Sequence, residues 1–173
     1  MDNIKNLIPA YLKDARLNCA VLIEENSPIE LKSRLYIAIA SSVALRSPRL
    51  SEALLTEIKA AGLDEKLYEA AVQAGSLMAM NNIYYGTRGL LPLEISGQLP
   101  PPRLRMNAIM NHGIDKHLFE LMCLAASTVG KCKDCLSAHA ASILKSGGSV
   151  DQINDAIRIA AVTSSIAAAL ELV

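Results

Sequence analysis

Apolar residues recur every three to four positions along most of this 173-residue chain. No segment shows the regular alternation of apolar and polar residues that is typical of a strand. The observed spacing predicts helices with one buried face, and the abundant Ala, Leu, Met, Glu and Lys favour helices as well. We therefore predict an all-α protein with helices at about 2–22, 29–45, 48–61, 64–86, 115–130, 132–146 and 149–171.

Turn-forming residues separate these predicted helices. Ser47 followed by Pro48 is a typical helix start, while Gly62 and Gly147 are typical helix ends. Residues 87–114 contain four prolines, and proline interrupts a helix because it lacks a backbone N–H. We expect a connector there, with short helical pieces at most.

The chain resembles itself across this connector. Residues 40–62, "ASSVALRSPRLSEALLTEIKAAG", align with residues 126–148, "ASTVGKCKDCLSAHAASILKSGG", at an offset of 86 (126 − 40). The identical positions are Ala40, Ser41, Val43, Leu50, Ser51, Lys59 and Gly62. We predict a single domain over 1–173 with two repeated helical units, about 30–86 and 115–173. Chance similarity between two Ala-rich helical pairs is the alternative.

Reactive side chains occur in one of the two units only. The second unit holds Glu120, Cys132, Cys135 and His139. At the offset of 86, the matching positions in the first unit are Arg34, Arg46, Arg49 and Ala53. Packing of the repeated unit therefore does not require the cysteines and the histidine, which suggests that they serve a function.

The amino-acid composition argues against some classes of function. Lys+Arg and Asp+Glu each number 17, aromatic residues make up 3%, and Trp is absent. Such a chain lacks the basic charge and the stacking surfaces that nucleic-acid binding requires. No signal peptide is apparent at the N-terminus, and the most apolar stretch, Ile159 to Leu170, is too short to span a membrane. We expect a cytoplasmic protein that binds no membrane.

Cys132 and Cys135 are placed for thiol chemistry. A free cysteine titrates near ~8.5, and a helix N-terminus, nearby cations or CxxC geometry lower that pKa. Both residues lie at the predicted start of a helix, beside Lys131 and Lys133. A spacing of three places the sulfurs on one helix face, where they can close a disulfide.

His139 and Glu120 can activate these thiols. His139 follows Cys135 by four residues on the same helix face, so its imidazole can take the Cys135 proton, directly or through water. Glu120 is a charged residue within the apolar run "HLFELMCLAAS". The helices joined by a short turn must pack together, so Glu120 can face His139 and orient it.

Other interpretations of these residues remain open. Cys132, Cys135 and His139 could supply three ligands to a structural zinc ion, although a second CxxC is absent. The two cysteines could also be inert and buried. The remaining candidates are interpreted as structural: Cys19, Cys123, Met78 and Met80 as core residues, and His112 and His117 as surface or capping residues.

At these residues the chain resembles the AhpD alkyl hydroperoxidases of the carboxymuconolactone decarboxylase superfamily. The resemblance rests on "FELMCLAASTVGKCKDCLSAH" (119–139), "MAMNNIYYGTRG" (78–89) and "LRMNAI" (104–109). It implies that Cys135 is the peroxidatic nucleophile, Cys132 the resolving cysteine, His139 the general base and Glu120 its orienting carboxylate. Asp134 departs from the family, in which close members can carry a histidine there.

The resemblance also implies the reaction and its partners. The expected enzyme is an antioxidant peroxidase that reduces organic hydroperoxides, with H₂O₂ as a secondary candidate substrate, through a redox-active Cys132–Cys135 disulfide. No cofactor is expected to be bound, and a dithiol such as dihydrolipoamide would act as co-substrate. The protein would form a homotrimer or a multiple of it, and its partner would be a lipoyl domain with lipoamide dehydrogenase, or a peroxiredoxin. The alternatives are a disulfide reductase or redox adaptor with little peroxidase activity, and a zinc-stabilised helical interaction module.

Overall fold

The computed structural model describes residues 2–171, and all regular elements in that range are helical. They are α1 Asp2–Leu7, α2 Lys13–Asn18, α3 Leu31–Ala44, α4 Pro48–Ala60, α5 Glu65–Leu90, α6 Leu93–Ser96, α7 Lys116–Gly130, α8 Lys133–Lys145 and α9 Val150–Glu171. Short 3₁₀ turns are formed by Cys19–Leu22 and Asn107–Ile109. The prediction of an all-α fold is confirmed.

Two predicted boundaries are wrong. The helix expected over 2–22 is divided into α1, α2 and a 3₁₀ turn, because Pro9 cannot continue the first helix. Helix α5 runs to Leu90, four residues beyond its predicted end at 86. The connector therefore begins later than expected, just before Pro92, and holds α6 and the second 3₁₀ turn.

Local signals set the main helix ends. Asp64 and Asp115 precede α5 and α7, and their carboxylates accept hydrogen bonds from the N–H groups of Leu67 and Leu118. These bonds satisfy backbone donors that have no partner within the helix. Gly62 follows α4 with a φ of 89°, and Gly147 follows α8 with a φ of 88°. Glycine adopts this left-handed conformation without steric strain, so both helices end where the sequence predicts.

The core forms around α3 and α7, the central helix pair. Residues 36–40 of α3 and 121–126 of α7 are all almost fully buried, which is typical of helices covered on every side. Helix α5 packs against α3, α7 and α8, while α9 packs against α7, α3 and α4. The third helix of each unit thus contacts the second helix of the other unit. This exchange brings α5 of the first unit against α8.

The two units match in the structure at an offset of 85, not 86. Helices α3, α4 and α5 begin 85 residues before α7, α8 and α9 (116 − 31, 133 − 48 and 150 − 65). The left-handed residues Arg46 and Lys131 are also 85 apart (131 − 46). Burial classes at 31–58 and 116–143 agree at all but three positions. The matches expected between Glu120, Cys132, Cys135 or His139 and Arg34, Arg46, Arg49 or Ala53 are therefore wrong by one residue.

Helix α9 is long and apolar enough to cross a membrane, with 22 residues and a mean hydropathy of 1.3 over its best window. The expectation that no apolar segment here has sufficient length is therefore wrong. However, 56% of that window is buried inside the protein. Core helices of soluble proteins meet the same criteria, so this one helix is weak evidence for a membrane span.

Candidate active site

Cys132 and Cys135 lie at the N-terminus of α8 and are joined in a disulfide, with their Cα atoms 5.3 Å apart. Lys131 ends α7 in the left-handed conformation, with a φ of 52°. The chain thereby reverses within two residues, and Cys132 becomes the residue that caps α8. Its sulfur accepts a hydrogen bond from the N–H of Cys135 at 3.3 Å. The tight turn between α7 and α8 thus places both sulfurs at a helix N-terminus, where a thiolate is favoured.

All four cysteines are buried, but their environments differ. Cys132 is 1% exposed and Cys135 is 7% exposed. Cys19 and Cys123 are free thiols in the core, as the sequence predicts. Burial raises the pKa of the Cys19 thiol. Burial, together with the nearby Glu120 charge, raises the pKa of the Cys123 thiol far above its usual range, so this residue stays protonated.

Glu120 on α7 and His139 on α8 form a buried pair. The Nδ1 atom of His139 lies 2.7 Å from Oε2 of Glu120, and the side chains are 12% and 10% exposed. Burial opposes ionisation of Glu120, but hydrogen bonds from His139 and Ser142 and the His139 charge outweigh it and lower the pKa of the carboxyl. Because an ionised carboxylate can only accept, Nδ1–H of His139 must donate.

The second imidazole nitrogen of His139 faces α5. Its Nε2 atom lies 3.2 Å from Sδ of Met78. Met78 is fully buried, as expected of a core residue, but its contact with His139 was not predicted. Since Nδ1 carries its proton toward Glu120, Nε2 is the nitrogen that can take or release a proton. Within residues 2–171, the hydrogen-bond contacts of the His139 ring are thus with Glu120 and Met78, and none is with Cys135.

A cleft of about 580 Å³ opens beside the disulfide. One wall is the C-terminal half of α5, and the other is the turn between α7 and α8. The lining residues are Asn82, Tyr85, Gly86, Thr87, Gly89, Leu90, Gly130, Lys131, Lys133 and Asp134. Asp134, the departure from the family pattern, thus faces this cleft, where a Cβ added to Gly89 would lie 3.9 Å from its carboxylate. Sequence reasoning named the segment 78–89 but did not predict its position.

Asn82, which lines this cleft, was not singled out by the sequence analysis. It is 8% exposed, and its Nδ2 donates to the carbonyl of Ala126 at 3.1 Å. Gly130 makes room for it, because a Cβ at Gly130 would lie 2.4 Å from the Asn82 side chain. The Oδ1 atom of Asn82 is buried without a hydrogen-bond partner among residues 2–171. The wall of the cleft thus includes a residue whose buried acceptor has no partner within residues 2–171.

The remaining histidines lie apart from this site. The ring of His112 stacks on Phe119 with centroids 4.2 Å apart. His117 makes hydrogen bonds to Ser146 at 3.0 Å and Gln152 at 3.2 Å, which link α7 to the ends of α8 and α9. Both have structural contacts, in line with their interpretation as capping or surface residues. Within the described residues, no three His, Cys, Asp or Glu side chains are grouped so as to hold a metal ion.

Comparison with known proteins identifies relatives of this chain. The profile of the carboxymuconolactone decarboxylase family matches residues 102–173, which include the disulfide, Glu120 and His139. The alkyl hydroperoxide reductase AhpD of Streptomyces avermitilis is 39% identical over 171 residues, covering 99% of this chain and 95% of the relative. The AhpD of Anaeromyxobacter dehalogenans is 36% identical over 172 residues, covering 99% and 91%. The AhpD of Coxiella burnetii is 39% identical over 169 residues, covering 96% and 94%.

Proposed function

The chain belongs to the AhpD family of alkyl hydroperoxide reductases, and from that premise we propose that it reduces organic hydroperoxides through a Cys132–Cys135 dithiol cycle. It is an oxidoreductase of the peroxidase type. The observation that carries the proposal is the disulfide at the start of α8, with His139 one turn further along the same helix and paired to Glu120 of α7. A buried pair of this kind can hold a proton beside a cysteine.

The first half-reaction begins at Cys135. His139, oriented by Glu120, takes the proton of the Cys135 thiol through Nε2. The thiolate then attacks the terminal oxygen of the hydroperoxide, so that a sulfur–oxygen bond forms and the O–O bond breaks. The alkoxide that leaves takes the proton from His139 and departs as an alcohol. Cys135 is oxidised by two electrons to a sulfenic acid, and the hydroperoxide is reduced by the same two electrons.

Cys132 completes the oxidation. Its thiol attacks the sulfenic sulfur of Cys135 and releases water, which gives the Cys132–Cys135 disulfide. In the closed disulfide the Cα atoms are 5.3 Å apart, which is within the usual range for such a bond. Closure protects Cys135 from further oxidation to a sulfinic acid.

A dithiol then regenerates the enzyme. One of its thiolates attacks the disulfide to give a mixed disulfide, and its second thiolate releases the remaining cysteine. Two protons leave the dithiol and two arrive at Cys132 and Cys135. We propose a dihydrolipoyl group on a lipoyl domain, renewed by lipoamide dehydrogenase, as this co-substrate, with a peroxiredoxin as the alternative partner. The reaction as written requires no bound cofactor, and a reducing compartment such as the cytoplasm would supply the dithiol.

We further propose a homotrimer, or a multiple of it. Support comes from exposed apolar side chains at the end of α5 and in α6: Leu90, Leu91, Leu93 and Ile95 are 87%, 36%, 81% and 52% exposed. Contiguous exposed apolar surface is a feature of protein–protein interaction sites. Light scattering of the purified protein measures the number of subunits directly.

The test of the function is a coupled assay with cumene hydroperoxide, dihydrolipoamide, lipoamide dehydrogenase and NADH. We expect NADH consumption that depends on both the peroxide and this protein. Consumption with an artificial disulfide but not with the peroxide would support the redox adaptor instead. Zinc in stoichiometric amount in the purified, reduced protein would support the interaction module. The variant Cys19→Ala serves as a control, since Cys19 lies in the core.

A further inference from the structure

The side chain of Asn82 is held in one orientation. Its Nδ2 donates to the Ala126 carbonyl, and a carbonyl oxygen accepts but cannot donate. The nitrogen therefore faces α7, and the two amide atoms cannot be interchanged. Oδ1 is left as the buried atom without a partner among the described residues. A buried acceptor of this kind costs free energy unless something donates to it.

The position of Asn82 follows from its neighbours along α5. Met78 lies against His139, and Gly86 lies against Cys132, where an added Cβ would be 3.9 Å from the Cys132 Cβ. Since α5 advances by eight residues while α8 returns by seven, the two helices run in opposite directions here. Asn82 is midway between Met78 and Gly86. It is therefore level with Cys135, which is midway between Cys132 and His139.

A donor can approach Asn82 from the cleft, because Asn82 is one of the residues that line it. The volume of about 580 Å³ is within the range of small-molecule sites. It is much larger than a molecule of hydrogen peroxide. At Gly86 and Gly89 this wall carries no side chain, although glycine inside a helix lowers stability relative to alanine. Beyond them, Tyr85 offers carbon surface to an apolar group.

We propose that Asn82 binds the hydroperoxide, with Oδ1 accepting a hydrogen bond from its terminal O–H while the alkyl group extends along Gly86 into the cleft. This inference rests on the proposed peroxidase function and adds a residue and a substrate class to it. The hydrogen bond holds the terminal oxygen near the Cys135 sulfur during attack. After the O–O bond breaks, the same O–H belongs to the sulfenic acid of Cys135. Organic hydroperoxides then bind better than hydrogen peroxide, because only they fill the cleft.

The test compares two reactions of Cys135 in the full chain carrying Cys132→Ser, so that one reactive thiol remains. Rates are measured by mass spectrometry with cumene hydroperoxide and with methyl methanethiosulfonate, a thiol reagent that has no hydroperoxide group. In N82L we expect the peroxide reaction to slow on the order of 10- to 100-fold, as for loss of one buried hydrogen bond. The thiosulfonate reaction should change by less than about threefold.

N81L is the matched control, since Asn81 is equally buried and also has an unpartnered Oδ1 but does not line the cleft. It should leave the ratio of the two rates unchanged. N82A provides the same comparison if N82L does not fold. Equal slowing of both reactions, or of neither, would overturn the assignment of Asn82. A parent protein that reacts with the thiosulfonate but not with the peroxide would overturn the proposed function as well.

G86L tests the path of the alkyl group. It should lower kcat/KM for cumene hydroperoxide at least ~10-fold while that for hydrogen peroxide changes by less than about threefold. Equal effects on the two substrates would show that the alkyl group does not lie in this cleft.

Discussion

The two helical units have the same arrangement of helices but carry chemically different side chains at equivalent positions. At the offset of 85, Glu120, Cys135 and His139 correspond to Leu35, Leu50 and Leu54 (120 − 85, 135 − 85 and 139 − 85). These leucines are 6%, 0% and 0% exposed. Cys132 corresponds to Ser47, and each residue precedes the second helix of its unit. The first unit thus shows how the fold fills these positions when no reaction is carried out there.

This difference shows that burial of polar groups in the second unit is not required by packing. Leucine fits the same location between equivalent helices, so Glu120 and His139 occupy positions suited to apolar side chains. Their burial is tolerated because each has the other as a partner at 2.7 Å. Paired charges of this kind can be replaced by apolar residues with little loss of stability, whereas removal of one partner is strongly destabilising.

The largest effect is expected when the attacking sulfur is removed. Cys135→Ser should reduce peroxide turnover to that of the uncatalysed reaction, which makes the second unit as inactive as the first. Cys132→Ser should permit one attack and leave a sulfenic acid on Cys135. Mass spectrometry after one equivalent of peroxide locates the oxidised residue. Sulfenic acid on Cys132 in the Cys135→Ser variant, with continued consumption of peroxide, would reverse the two roles.

The second largest effect is expected when the buried pair is replaced by leucines, the residues found at the equivalent positions of the first unit. His139→Leu alone should lower the free energy of unfolding by roughly 3–5 kcal/mol, because it leaves the Glu120 carboxylate buried without its partner. The double variant Glu120→Leu/His139→Leu should recover most of that loss. Urea unfolding of the oxidised proteins measures both. Leu54→His is the matched substitution in the first unit, and it should destabilise without a compensating partner. A double variant no more stable than His139→Leu would contradict the comparison.

The smallest effect is expected at the free cysteines. Cys19→Ala/Cys123→Ala should keep full turnover and lose about 1–3 kcal/mol of stability, since both side chains are in the core. Because the pKa of Cys123 is raised, its thiolate is absent at neutral and mildly alkaline pH, and iodoacetamide should not modify it in the folded protein. Turnover lost in a folded double variant, or rapid labelling of Cys123 at pH 8, would contradict this.

The sequence predicts helix positions better than contacts between helices. Gly62, Gly147 and Pro48 mark helix ends by local backbone preferences, and the structure has those ends. The contact between Glu120 and His139 also follows from local geometry, since a two-residue turn joins their helices. Pro9 is also a local signal, because proline interrupts a helix, but the prediction of one helix over 2–22 did not take it into account.

The contacts that the sequence did not predict depend on packing between the two units. Met78 and Asn82 reach the disulfide because α5 crosses to α8 of the other unit, and no spacing within either segment indicates that crossing. The offset of 86 failed for a related reason. Identities between Ala-rich helices arise readily from composition, whereas equivalent positions are defined by burial and by the left-handed residues Arg46 and Lys131.

We claim above all that Glu120 and His139 act as one unit to activate Cys135, and the pH dependence of Cys135 alkylation shows whether they do. Rates are measured for wild type, Glu120→Gln, His139→Gln and the double variant, each reduced beforehand. We expect the apparent pKa of Cys135 to rise in all three variants and the two single effects to be strongly non-additive. At neutral pH, loss of the base should slow attack on the order of 10²–10⁴-fold, with partial recovery as pH rises. The same apparent pKa in all four proteins would contradict the claim and attribute activation to the helix N-terminus and the neighbouring lysines.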